Sequence, residues 1–90
     1  MLMIRHAIGS RLFLETNHYS VTPKEKKWII TASVTKTELK NLLDFQEELN
    51  LFIVEENQKT WYYSSNADLT VNAKENEITI VADHQTIYPV

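Results

Sequence analysis

Residues 21–32 and 71–82 carry one pattern twice, 50 positions apart. Val21, Lys24, Glu25, Ile30 and Ala32 return as Val71, Lys74, Glu75, Ile80 and Ala82. Each copy reads as a strand, a charged turn and a second strand. Two hairpins with Lys-Glu turns can also converge on five identities over the aligned positions 11–32 and 61–82. The constraint is therefore architectural rather than genealogical. The chain must accommodate two blocks of hairpins, separated by the one stretch whose periodicity is not two.

That stretch begins at Thr35-Lys36-Thr37-Glu38, which has the spacing of a capping box. The threonine hydroxyl accepts a backbone N–H of the first turn, and the glutamate reaches back to the N–H of the cap residue. Behind it Leu39, Leu42, Leu43, Phe45 and Leu49 fall on one broad face, with Lys40, Asn41, Asp44, Glu47 and Glu48 opposite. The pattern predicts one amphipathic helix over about residues 36–49, with Asn50 as a left-handed residue closing it. Leu39, Leu42, Leu43 and Leu49 are expected in the core, together with Ile30 and Ile80.

Everything else alternates. Leu2, Ile4 and Ile8 oppose Met3, Arg5 and Ala7 as in a half-buried strand. Gly9-Ser10 suits a two-residue type II′ turn with glycine first, and 11–16 pairs back. Asn17-His18 marks a break before an extended Tyr19 and Val21. Pro23 to Lys26 reads as a turn with φ preset by proline, and residues 27–34 are rich in branched and aromatic strand formers. After the helix, 51–55 and 60–64 form a hairpin, 68–72 and 77–82 another, and 85–90 a short final strand ending at Pro89. The expected fold is α+β: an antiparallel β sheet or small sandwich, strands–helix–strands, in a single domain over residues 1–90.

Composition narrows the function classes. The chain has no cysteine, which removes disulfides, thiolate metal sites and thiol nucleophiles together and points to a reducing, cytoplasmic compartment. A formal charge of −3 argues against a nucleic-acid binder, whose affinity comes largely from cations on phosphates. Lys24, Lys26 and Lys27 beside Trp28 form a small basic–aromatic patch, read more simply as a solvated hairpin tip. A single glycine excludes glycine-rich phosphate loops. No apolar run approaches a membrane span, and Arg5 and His6 interrupt the first hydrophobic residues too early for a signal segment.

Few residues could carry chemistry. His6, His18 and His84 are scattered without metal-ligand spacing, and His6 shares a face with Leu2 and Ile4, so it reads as a partly buried, hydrogen-bonded ring. Asp83-His84 is the one adjacent acid–imidazole pair; strand neighbours point to opposite faces, so the two cooperate only if the strand has ended there. No serine sits in a nucleophile elbow. The carboxylates at Asp44, Glu47 and Glu48 and at Glu55 and Glu56 fit a solvated helix face and a hairpin turn. No metal, no cofactor and no catalytic residue is expected.

Trp61-Tyr62-Tyr63 is the most informative local run. Trp61 and Tyr63 share one face of a strand and Tyr62 takes the other. One arrangement places Trp61 and Tyr63 under the helix with Tyr62 at a rim. The other uses the strand as a binding surface, since aromatics with a polar tip concentrate at interface hot spots. Trp61, Tyr62, Tyr63, Glu55 and Glu56 are accordingly the candidate protein-binding residues. The leading expectation is a non-enzymatic protein–protein interaction module. Its rivals are a self-associating structural subunit and an acidic inhibitor presenting carboxylates in place of phosphates. The order strands–helix–strands, with Val34 to Leu39 entering the helix, resembles several phage structural proteins, a resemblance of pattern that implies a particle component.

Overall fold

Alternation with a period of two builds most of the molecule, because every apolar face so formed needs a second layer to cover it. The computed structural model describes residues 1–65, 68–72 and 74–89. In these the chain forms β1 (Leu2–His6), β2 (Leu12–Thr16), β3 (Tyr19–Lys24), β4 (Lys27–Ser33), α1 (Lys36–Asp44), β5 (Leu49–Val54), β6 (Gln58–Tyr63), β7 (Leu69–Asn72), β8 (Glu77–Ala82) and β9 (His84–Pro89). One antiparallel sheet has the order β2-β1-β5-β6-β9 and the other β3-β4-β8-β7. Asn17 and His18 are the break between them, where the chain leaves β2 of the first sheet for β3 of the second.

Register aligns the apolar residues into rows. In the four-stranded sheet Val21, Ile30, Ile80 and Leu69 lie opposite one another, as do Tyr19, Ala32, Ile78 and Val71. In the five-stranded sheet Leu14, Ile4, Leu51 and Tyr62 make one row and Leu2, Ile53 and Thr60 another. These inner faces form one buried core. Trp28 crosses the layer, its ring meeting that of Tyr62 edge-on at 5.8 Å. Ile30 and Ile80 are buried as expected.

The 50-residue echo has a geometric counterpart. Its hairpins β3–β4 and β7–β8 are neighbours in one sheet, joined through β4 and β8. Ile30 pairs with Ile80, Trp28 with Ala82 and Ala32 with Ile78. An approximate two-fold through the Ile30–Ile80 pair thus relates residues 50 positions apart. The relation fails toward the turns. Val21 pairs with Ile30 but Val71 with Ile78, so the two hairpins differ in register by two residues.

The capping box is present. Thr35 Oγ1 accepts from the Glu38 N–H at 3.1 Å, and Glu38 Oε1 accepts from the Thr35 N–H at 2.8 Å. The helix stops at Asp44, five residues before the expected end at 49. Leu49 pairs with His6 in β5, and Asn50 with Arg5, so neither closes a helix. The cause is that Leu49 also fits the alternation of Leu51 and Ile53, and pairing with β1 satisfies the backbone groups that another helical turn would have used. The shortened helix buries Leu42 fully and Leu39 partly, while Leu43 is exposed, contrary to expectation. Phe45, just past the helix, stacks on Phe13 with ring centroids 5.3 Å apart.

Two turns also differ from expectation. β1 ends at His6, leaving Ile8 exposed in the loop, and both Gly9 and Ser10 have positive φ, which a type II′ turn does not allow. Pro23 lies within the edge strand β3, where a missing N–H is tolerated. The turn itself is Glu25-Lys26, both with positive φ, matching type I′. A register shift opposite Ile4 and Arg5 turns the consecutive residues Phe13 and Leu14 both inward.

Leu42→Ala should lower unfolding free energy by about 2–5 kcal/mol, the range for a buried leucine. Leu43→Ala should change it by no more than ~0.5 kcal/mol, as at other surface positions. Urea unfolding of the two variants beside the parent checks both.

Candidate interaction surface

The inner rows dictate what the outer faces carry, because each inward residue has an outward neighbour. On the four-stranded sheet the outer row Ser20, Thr31, Thr79 and Thr70 is hydroxylic, with Thr31 and Thr79 Oγ1 atoms 3.4 Å apart. On the five-stranded sheet the corresponding row is Met3, Phe52, Trp61 and Thr86. Tyr63 and His84 pair beside it on one side, and Lys59 and Tyr88 on the other. None of these outer residues of the five-stranded sheet is buried. One outer face of the sandwich therefore carries a hydroxylic row beside the aliphatic pair Ile29 and Val81, and the other is aromatic.

The aromatic face is ordered by its own contacts. Trp61 and Tyr63, two residues apart on β6, stack with centroids at 4.8 Å, and Tyr63 stacks on His84 of β9 at 4.2 Å with the planes 8° apart. Trp61 Nε1–H donates to Asn50 Oδ1 at 3.0 Å, which fixes the indole over β5. Lys59 Nζ lies 4.5 Å from the Phe52 ring centroid, within cation–π range. Glu55 and Glu56 are exposed in the β5–β6 turn at the end of this face, where the Glu55 N–H donates to the Gln58 carbonyl.

Tyr62 does not belong to the surface. Only 6% of it is exposed, its ring faces Trp28 between the sheets, and its hydroxyl accepts from Gln85 Nε2 at 3.1 Å. The arrangement with Trp61 and Tyr63 under the helix is thereby inverted. Trp28 is half-buried and packs against the same core, whereas Lys24, Lys26 and Lys27 are exposed. Sequence reasoning missed Phe52, His84 and Tyr88. The outward direction of Phe52 is implied by its inward neighbours Leu51 and Ile53, whereas His84 and Tyr88 join the face only through the pairing of β9 with β6.

At one corner of the face the chain passes from β8 to β9 through a single residue, Asp83. The strand has ended there, so the adjacent pair does cooperate: Asp83 Oδ1 lies 2.6 Å from His84 Nδ1. The Ser65 hydroxyl and backbone N–H both donate to the same carboxylate. Those two donations, the hydroxyl above all, together with His84, hold the Asp83 pKa down at about 2 against 3.8 ordinarily. The carboxylate stands between hydroxyl and imidazole, so the serine is bonded to the acid rather than to the imidazole and the order of a hydrolase triad is not reproduced. The other imidazoles lie apart: His6 is packed against the stacked pair Phe13 and Phe45 and bonded to Glu48, and His18 is exposed.

Among the described residues no group of three or more His, Cys, Asp or Glu side chains is arranged to hold a metal ion. None of their helices is long and apolar enough to cross a membrane. Comparison with family models, curated proteins and solved structures finds no match for this chain.

Removing the hydroxyl by Ser65→Ala should raise the Asp83 pKa from about 2 toward 3.8. A depressed carboxyl pKa contributes stability that is present above the unfolded value and lost as pH falls through the folded one. The parent should therefore retain this contribution down to lower pH than the variant. A carbon-detected NMR titration of the Asp83 carboxyl measures the shift directly.

Proposed function

We propose that this protein is a non-enzymatic protein–protein interaction module that binds through the outer face of its five-stranded sheet. The observation that carries the reading is the cluster of aromatic side chains on that face, Phe52, Trp61, Tyr63, His84 and Tyr88, none of them buried. Aromatic residues with a polar tip are what interfaces enrich. Trp61 and Tyr63 are the anchors, already held by stacking and by Asn50, so little side-chain freedom remains to be lost on binding. Glu55 and Glu56 flank the face and the chain is acidic as a whole. The matching partner surface is apolar at its centre with lysine or arginine at the rim facing that turn. A protein without cysteine is suited to perform this role in a reducing compartment.

Trp61→Ala and Tyr63→Ala should each weaken capture of the partner by roughly tenfold, or ~1.4 kcal/mol, while the melting temperature stays close to that of the parent. Tyr62→Ala should instead destabilise the fold by about 3–5 kcal/mol, as for other large aromatic core residues. The measurement is affinity capture from the native host with quantitative mass spectrometry, run beside thermal unfolding of each variant. Capture that is indifferent to Trp61 and Tyr63 would remove the face as the contact.

A further inference from the structure

Each sheet of the sandwich leaves two edges whose unpaired N–H and C=O groups can template another strand, and natural proteins guard such edges with bulges, proline, charge or brevity. Three of the four here are guarded. β2 carries the register shift opposite Ile4 and Arg5, contains Glu15 and is preceded by Arg11. β3 contains Pro23 and ends in Lys24. β7 is four residues long. β9 carries a proline only at its last position, Pro89, and its other residues His84, Gln85, Thr86, Ile87 and Tyr88 include no lysine, arginine or carboxylate. Two of them are large and exposed, Ile87 at 54% and Tyr88 at 46%.

We propose that β9 is a self-complementary edge through which two copies of this chain pair antiparallel about a two-fold centred on Thr86, so that one continuous sheet runs through both. A two-fold perpendicular to the sheet maps each outer face onto an outer face, so residues i and j meet across the seam with an even sum. Centring on Gln85 would draw Asp83 into the ladder twice, and centring on Ile87 would pair Gln85 with Pro89, which has no N–H to give. Thr86 is the centre that uses the whole strand while leaving both ends out.

That register matches like with like. Thr86 meets Thr86, a favourable cross-strand pair, and Gln85 meets Ile87 on the inner side. On the outer side His84 meets the second copy's Tyr88, so the stack of Trp61, Tyr63 and His84 continues across the seam. Each copy carries a charge of −3, yet no lysine, arginine or carboxylate is among the five paired residues, Asp83 lying just outside them. A seam of five residue pairs is short, and the dimer it makes is weak and concentration-dependent. The pairing rests on the backbone edge of β9 with His84 and Tyr88 at the seam, whereas the proposed partner binding is anchored on Trp61 and Tyr63, so different residues test the two.

The absence of cysteine in the natural chain makes the test direct. Opposed residues of an antiparallel pair have Cα atoms about 4.5–5.5 Å apart, inside the roughly 4.4–6.8 Å that a disulfide spans. Thr86→Cys should therefore cross-link to a covalent dimer under mild oxidation. Thr22→Cys on β3 and Thr70→Cys on β7 are matched controls, both being exposed threonines on edge strands. Thr86→Cys is expected to react roughly tenfold faster or more, because a pre-formed pair raises the effective thiol concentration. Far-ultraviolet circular dichroism of each reduced variant confirms that the fold is kept. Equal rates at the three positions would overturn the proposal, as would a faster reaction of Ile87→Cys, which moves the dyad off Thr86. Sedimentation of the parent chain supplies the second readout: association that rises with concentration supports the pairing, and a strict monomer up to the millimolar range overturns it.

Discussion

The packing of one sheet's inner face on the other's is the constraint from which the rest of the molecule follows. With a strand period of two, committing Tyr62 to the layer between the sheets leaves Trp61 and Tyr63 nowhere to go but outward. The same holds along β5, where burial of Leu51 and Ile53 turns Phe52 out, and along β1, where Leu2 and Ile4 turn out Met3. An aromatic outer face is therefore no accident of surface composition. It is the complement of the core, and no substitution can move those rings inside without turning the whole inner set outside.

The helix has a narrower task than its capping box suggests. It carries the chain from β4 in one sheet to β5 in the other and closes the layer beside β2, where Leu42 is buried. A helix of this length presents only a thin stripe, namely Leu39 and Leu42 with Phe45 following. The bulge in β2 completes the seal by bringing Phe13 as well as Leu14 inward, so that Phe13, Phe45 and His6 pack together. Covering this end on the inner side is compatible with leaving the outer face of the same sheet open.

Local chemistry made some of this legible from residues alone. The box at Thr35 and Glu38 placed the start of the helix, and alternation placed the hairpins, because both signals are complete within a few residues. The end of the helix was not legible: Leu49 satisfies the helical spacing from Leu39 and Leu42 and the strand spacing to Leu51 and Ile53 equally well, and pairing with β1, far away in sequence, decides between them. The candidate site shows the same division. Alternation separated Tyr62 from Trp61 and Tyr63, but it could not say which side was inward until Trp28 of the opposite sheet claimed Tyr62. His84 and Tyr88 were out of reach for the same reason, since their membership depends on strand order. The turns broke local rules as well, with Ser10, Glu25 and Lys26 taking positive φ where glycine or asparagine is favoured.

The passage from β8 to β9 ties the two halves of this logic together. β8 is central in the four-stranded sheet and β9 is the last strand of the other, yet only Asp83 lies between them. A corner this tight breaks the alternation, which is how Asp83 and His84 come to share a hydrogen bond while Ala82, one residue earlier, is fully buried. The Ser65 donations hold the carboxylate in its charged form, and the carboxylate in turn orients the imidazole that lies flat on Tyr63. The aromatic stack is thus anchored at one end by the corner and at the other by Asn50 beneath Trp61. Its order comes from polar contacts at its margins together with the stacking of the rings on one another, so the rings meet another surface already fixed in place.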